Sequence, residues 1–446
     1  MSRTLLKDGC VLSLDRKIGN FHRADVLIDG EIIAAVGPDL RAGNAEVIDV
    51  TDSIVMPGFV DTHRHVWEGL FRNLGDRAPV GDPGALSRKI GPFYRPEDVY
   101  AGNLVGLLGA LDAGITTVLD WSHIQVTPEH TAAAIAAHHE SGIRAVFAYG
   151  APWWGSPEPT RADLVRSLAG SHFNTTDQLL TLALAPPGPE FASMESTRAD
   201  WELAREVGAR ISVHVGVGER RQRGRLAEMA RAGLLGPDTT YVSCATLSDE
   251  EIEMIGDSGG SFSLSTAAGM MMGYGMPPIQ QLIDRHLRPA LSVDAESNVP
   301  TDMFTQMRAV ISIQHASLFD LKLAGKGGVP NLLTTRRVLE YATIEGARAN
   351  GLGDVTGSLT PGKQADLIVL SSDTPNIFPI NDPIGAVVWG MDTSNVDSVF
   401  IAGRPSKRDG ELVGVDMARV SDIAYSARDH VARSAGLEPP ALEAVG

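Results

Sequence analysis

Cysteine is nearly absent from this chain of 446 residues: there are two, Cys10 and Cys244. Two isolated thiols exclude a disulfide framework and a thiolate metal site, and they fit a reducing compartment. No apolar run approaches the roughly 18 residues of a membrane span, so no transmembrane helix is expected. The opening stretch MSRTLLKDGCVLSLD lacks the apolar core of a secretory signal, and a cytoplasmic location is expected. Positive charge is scarce as well. Lys and Arg number 38 against 55 Asp and Glu, a net charge of −17. That excludes an extended phosphate-binding surface, which needs clustered cations. The one basic stretch, GERRQRGR at 218–225, reads as a solvated loop. Neither nucleic acid nor a membrane is an expected partner. A small-molecule substrate is.

The length and a hydrophobic share of 43% suffice for a large barrel core plus a small appended domain. Near the start, ADVLIDGEIIAAVGP alternates, turns at Asp29-Gly30 and alternates again, the pattern of a β-hairpin. Further on, short β-rich runs alternate with helical stretches such as PEHTAAAIAAHHESG and DEEIEMIGDSG. Eight such runs are present, at 54–61, 115–120, 143–149, 179–185, 209–215, 239–244, 260–264 and 289–294. Eight strand–helix units predict an α/β fold, a (β/α)8 TIM barrel. Beyond 355, strands and turns return in ADLIVLS and VDSVFIAGRP. The expected organisation is a small β-sandwich domain built from 1–55 and 356–414, a barrel at 56–355 and a helical tail at 415–446.

Catalytic groups of such barrels sit at the C-terminal ends of the strands. The first run ends in Asp61, His63 and His65; the second in Asp120, followed by Ser122 and His123. The fifth carries His214, the sixth ends in Ser243, Cys244 and Thr246, and the eighth in Asp294, Glu296, Ser297 and Asn298. Alternation puts His63 and His65 on one side of an extended chain. Three imidazoles and a carboxylate suit one divalent transition metal with an open position: zinc most simply, or Fe, Co or Mn. Asp294 can also take a proton from activated water. A lone His-x-His carries little weight. His214 alone reads equally as a core histidine, and Asp294 as a helix cap. Their joint placement at three strand ends is what makes a site. His138 and His139 read as a solvated or packing pair.

The segments VMPGFVDTHRH, ISVHV, LSVDAESN and GSLTPGKQADLIVL resemble, in order and over nearly the whole chain, the amidohydrolase superfamily. The resemblance implies a barrel whose mononuclear or dinuclear metal centre activates water for hydrolysis. Two-metal members usually carry a carboxylated lysine on strand four. LLTLALAPPGPEF has none, which implies one metal held by His63, His65, His214 and Asp294, as in the deaminase and chlorohydrolase branch. A narrower likeness is to amidohydrolases related to molinate hydrolase and the phenylurea hydrolases. Homo-oligomers are common in the superfamily and are expected here.

The departures bear on the reaction. The branch usually places a glutamate three residues after the strand-five histidine. Here that position is Val217, with Glu219 beyond it. Where strand six commonly ends in histidine, the chain has Ser243 and Thr246, and a hydroxyl cannot carry a proton as imidazole does. After strand seven, SLSTAAGMMMGYG is small and apolar, with Met270, Met271 and Met272 either soft pocket fillers or plain core. Candidate catalytic residues are therefore Asp294, His123 and Ser243. Candidate substrate contacts are Trp67, Trp121, Glu219, Thr246, Glu296 and Asn298. Trp67, Trp121, Trp153 and Trp154 read either as an apolar lid or as loop packing. The expected activity is hydrolysis of a C–N bond in a small amide, urea, carbamate or N-substituted heterocycle. The alternatives are deamination or dechlorination of a purine- or triazine-like ring, and a metal-dependent lyase or decarboxylase step in which Arg64 binds an acidic substrate.

Overall fold

At Gly58 the chain passes from one sheet to another. The run 54–61 divides there: Ser53–Pro57 pairs antiparallel with Leu367–Ser371, and Phe59–Arg64 begins the barrel. A Cβ added at Gly58 would stand 2.1 Å from Thr116 Cγ2, far inside van der Waals contact. Only a residue without a side chain makes this crossing. The computed structural model describes residues 3–74, 82, 84–152, 154, 160–175, 178–218 and 222–437.

Among the described residues, eight parallel strands follow in chain order: Phe59–Arg64, Ile115–Ser122, Arg144–Tyr149, Leu180–Leu184, Arg210–Val215, Thr239–Ser243, Ser261–Leu264 and Ala290–Leu291. Each pairs with the next, and Ile115–Ser122 is buried at every position, as parallel strands covered on both faces must be. The ring closes just past the first and eighth strands. Asp294 N–H donates to the His63 carbonyl at 2.9 Å, and His65 N–H donates to the Asp294 carbonyl at 3.0 Å. Closure therefore runs through residues of the expected metal site. The barrel interior is filled by Leu119, Trp121, Val146, Ala148, Ala183 and Ala185, small alanines leaving room for one large indole.

The helices start and stop where local chemistry directs. Asp249–Asp257 begins with a capping box: Ser248 accepts the Glu251 amide while Glu251 accepts the Ser248 amide. Pro128–Ser141 has proline in its first turn and ends on Gly142 at φ 65°. Its His138 donates to Asp120 at 3.0 Å with both side chains buried, so His138 is the packing half of the expected pair. His139 is exposed.

The ends of the chain meet in one mixed sheet of nine strands among the described residues. The hairpin Asn20–Asp29 and Ile32–Gly37 turns at Gly30. N-terminal Leu6, Val26 and Ile28 share a core with Val369 and Phe400 from the other end. The barrel is tied to this sheet by Arg144, whose guanidinium donates to both Asp366 oxygens, at 2.5 and 3.2 Å. The helix Met417–Ser434 then packs on Pro96–Asp112.

Candidate metal centre

His63 lies in the first strand and His65 one residue beyond its end, and alternation brings both rings inward. Their centroids are 4.8 Å apart. His214, from the fifth strand, brings its ring to 4.6 Å from that of His63. One nitrogen from each of the three lies within 4.8 Å of the others. Asp294 Oδ1 completes the cluster at 3.2 Å from both His63 Nε2 and His65 Nε2. Two ligands each about 2.0–2.1 Å from one ion at a tetrahedral angle stand about 3.4 Å apart, so the 3.2 Å separations fit atoms that would share an ion. Asp294 holds this position at φ 74°, and Ser243 and Cys244 are also left-handed, at 73° and 58°. Non-glycine residues adopt that conformation only when their surroundings compel it, commonly at functional sites.

Hydrogen bonding fixes a tautomer. A carbonyl can only accept, so the 3.3 Å contact between His65 Nδ1 and the Trp121 carbonyl places the proton on Nδ1 and leaves the Nε2 lone pair facing Asp294. Burial holds His63 below, and His214 well below, the ordinary imidazole range, so both are neutral donors at pH 7. Burial pulls His65 the same way, but the adjoining Asp294 carboxylate lifts it above that range. Burial alone would raise Asp294, yet His63 and His65 hold it well below the usual carboxylate range. Both ring nitrogens of His63 and Oδ2 of Asp294 are buried without a hydrogen-bond partner among the described residues. Such atoms are costly unless something else satisfies them. A divalent transition metal does, and three imidazoles with one carboxylate form a donor set suited to zinc. The fourth strand and the residue after it offer Ala183 and Ala185, and no lysine, at the barrel interior, so the donors fit one ion.

The structure gathers some predicted residues here and places others apart. His123 stands with its ring 4.6 Å from His65 and within 3.4 Å of Trp67 Nε1; burial, then the charge of His65, pushes it well below the imidazole range. Trp121 is 1% exposed and packs its ring 4.9 Å from His214 and 5.4 Å from His65. Its indole N–H donates to the Ser212 carbonyl. Trp67 is fully buried, 5.2 Å from His123 and 5.8 Å from Trp154. These indoles are walls packed against the imidazoles: Trp121 against His65 and His214, Trp67 against His123. Ser243 Oγ is buried at the end of strand six with no partner among the described residues. The Thr246 amide donates to the Gly216 carbonyl. Asn298 accepts from Ser297. Glu219 and Trp153 lie outside the described residues.

Glu296 is engaged elsewhere. Its Oε2 accepts from Arg72 at 2.7 Å, and its Oε1 is 3.7 Å from Arg64. Arg64 is fully buried, 3.2 Å from Asp61, and donates to the Thr301 carbonyl at 2.6 Å. These four side chains form an ion-pair network behind the ligands, so Arg64 is enclosed where an acidic substrate cannot reach it. The methionines are not core: Met270 and Met271 are 37% and 68% exposed, while Met272 lines the cavity beside the ligands.

That cavity has a volume of about 20 Å³ and is lined by His65, Glu68, Ser87, His123, Tyr274 and Asp294, among others. Glu68 has no counterpart among the residues predicted from strand ends. It lies in the 3-10 helix Val66–Phe71, and burial raises its pKa above the ordinary glutamate value. The signal that marks it is one acid inside the apolar stretch VWEGLF, three residues after His65. A larger groove of about 740 Å³ lies between Pro96–Asp112 and Met417–Ser434. No imidazole among the described residues lines it, and the chemistry belongs to the smaller cavity.

A closed barrel with a buried three-imidazole, one-carboxylate centre at its strand ends defines a metal-dependent hydrolase. The chain belongs to the amidohydrolase family, which it matches over residues 54–406. It is thus a hydrolase acting on carbon–nitrogen bonds other than peptide bonds. It is 30% identical over 432 residues to a 5'-deoxyadenosine deaminase of Methanothermobacter thermautotrophicus, covering 92% of this chain and 95% of that one. It is 26% identical to a 5-methylthioadenosine/S-adenosylhomocysteine deaminase of Pyrococcus furiosus, over 94% and 98% of the two chains. Among solved structures it resembles a zinc-bound adenosine deaminase from Xanthomonas campestris (TM-score 0.82, 23% identity, 97% and 99% covered). It also resembles a mutant atrazine chlorohydrolase from Arthrobacter aurescens complexed with zinc and atraton (TM-score 0.84, 21% identity, 95% and 100% covered). These last two likenesses show a shared fold.

Proposed function

We propose that the protein is a mononuclear zinc-dependent deaminase that hydrolyses the exocyclic C–N bond of an aminated N-heterocycle, of the adenine-nucleoside class. The observation that carries this is the convergence of His63, His65 and His214, with Asp294 3.2 Å from two of them, at buried barrel strand ends. The 30% identity to a 5'-deoxyadenosine deaminase over 92% of the chain supports the substrate class. An ion held there supplies Lewis acidity and lowers the pKa of water. Asp294 Oδ2, without a hydrogen-bond partner among the described residues, is the acceptor for the proton that water gives up. Water's oxygen bonds to the amino-bearing carbon while the adjacent ring nitrogen takes a proton. The C–N bond then breaks, and the amino group leaves with a second proton as ammonia. Trp67 and Trp121 keep the ligands dry, which strengthens each electrostatic contact.

A second reading, hydrolysis of an amide, urea or carbamate, is favoured by Val217 and Ser243 standing where the branch has an acid and an imidazole. Acyl C–N cleavage does not require protonation of a ring nitrogen. The test is to incubate metal-loaded protein with 5'-deoxyadenosine, adenosine, triazines, amides, ureas and carbamates in oxygen-18 water. Ammonia release from an adenine nucleoside, with label in the product, is expected. Cleavage of acyl substrates alone would establish the second reading, and unlabelled product would overturn hydrolysis.

Two further properties go with this reading. Cytoplasmic placement is supported by the free thiols Cys10 and Cys244, and no helix among the described residues is long and apolar enough to cross a membrane. A homo-oligomer is supported by an apolar surface around the helix Met303–Leu323: Phe319 and Leu323 are 47% and 85% exposed, and Trp389 46%. Soluble proteins rarely leave such surface uncovered. Light scattering on the purified protein tests it.

A further inference from the structure

Glu68 is built to meet a ligand. Its side chain is buried, and Ser87 Oγ donates to Oε1 at 2.6 Å. Oε2 has no hydrogen-bond partner among the described residues, although Glu68 lines the same cavity as His65, His123 and Asp294. Burying a carboxyl oxygen unsatisfied is costly, and neighbouring acids with structural roles are held differently. Glu296 is held by Arg72 and faces Arg64, and Glu190 takes the Gly216 and Val217 amides on its two oxygens. The nearby cations Arg64 and Arg72 are thereby committed to Asp61 and Glu296. Apart from Asp294, Glu68 is the one acid lining the cavity among the described residues. Position 217, where an acid would otherwise serve, is valine in this chain.

We propose that Glu68 is a substrate-binding catalytic residue: Ser87 pins Oε1 so that Oε2 is presented as acceptor for an N–H of the exocyclic amino group at the scissile C–N bond. This rests on the deaminase reading and deepens it, for it states which edge of the heterocycle enters first. A substrate carrying an amino group there gains a charge-assisted hydrogen bond. One presenting only a lone pair meets repulsion.

Pinning by Ser87 makes the amide variant informative. In Glu68→Gln the amide oxygen is drawn to the Ser87 hydroxyl, which turns NH2 toward the cavity, donor against donor. Binding of 5'-deoxyadenosine to metal-free protein, read from tryptophan fluorescence, should weaken about 10- to 100-fold, and kcat/KM of the zinc-loaded enzyme should fall at least as far. Zinc content and Tm should stay at the wild-type values. In Glu68→Gln with Ser87→Ala the amide is free to turn over, and binding should recover several-fold over Glu68→Gln alone. A residue that only supports the fold would not show that rescue. If Glu68→Gln disturbs the fold, Ser87→Ala alone serves, with an expected rise in KM of about 3- to 10-fold at unchanged zinc content. Wild-type-like binding and turnover in Glu68→Gln, from a wild type that does deaminate 5'-deoxyadenosine, would overturn the assignment of Glu68 and leave the deaminase reading standing. A wild type that neither binds nor deaminates the probe would overturn both.

Discussion

Replacing Asp200 by asparagine should stabilise this protein at pH 8 and leave it nearly unchanged at pH 4. Asp200 sits in the helix Met194–Glu206, 3% exposed, with Oδ2 buried and unpartnered among the described residues. Burial pushes it up to about 6, against a hydrogen bond from Thr160 that pulls the other way. An unfolded aspartate titrates near 3.9. The folded state therefore holds its proton more tightly, and stability falls as pH rises from about 4 to about 6 and is flat above. At 1.36 kcal/mol per pH unit, the gap of about two units is worth about 3 kcal/mol. Asparagine cannot ionise and escapes that loss, less the cost of burying its NH2. A gain of about 1–3 kcal/mol at pH 8 remains. The assay is urea unfolding of variant and wild type in parallel at pH 4, 6 and 8, so that protonation of the ligand histidines cancels in the difference. A difference that does not grow between pH 4 and pH 8 would refute the reasoning. The helix packs on strands four and five, the latter carrying His214, and kcat should be unchanged because Asp200 touches no ligand.

Two further outcomes follow from the site and the barrel. His214→Ala should lose zinc, measured by elemental analysis, together with activity, whereas Ser243→Ala should keep one zinc per chain, since Ser243 Oγ holds no partner among the described residues; its stability should shift by no more than about 0.5 kcal/mol. Gly58→Ala forces a methyl onto Thr116 at 2.1 Å and should cost about 1–3 kcal/mol in urea unfolding, with weakened zinc binding because the displaced strand carries His63.

Much of the site is legible in the sequence, for a physical reason. A metal needs imidazole and carboxylate side chains, and a barrel offers them at strand ends, so His63, His65, His214 and Asp294 lie at predictable positions. Pairing across long separations is not legible in the same way. In sequence Glu296 reads as a free acid beside Asp294; in the fold Arg72, 224 residues away, takes its oxygen. Trp121 reads as a loop residue, but the alanines of strands three and four make room for its ring inside the barrel. Glu68 stands beyond the end of the first strand, where period-two alternation no longer says which way a side chain points.

Period and spacing, by themselves, determined the eight strand–helix units, the hairpin at Gly30 and the placement of His63, His65, His214 and Asp294 at strand ends, because local geometry and donor chemistry are properties of short stretches. Tertiary structure alone decided which acids are free. An ion pair exists only where two distant segments meet, so the fold commits Glu296 to arginine and leaves Glu68 Oε2 unpartnered among the described residues at the cavity. It also set Asp294 at a positive φ, because closing the barrel requires its backbone to bond His63 and His65 at once.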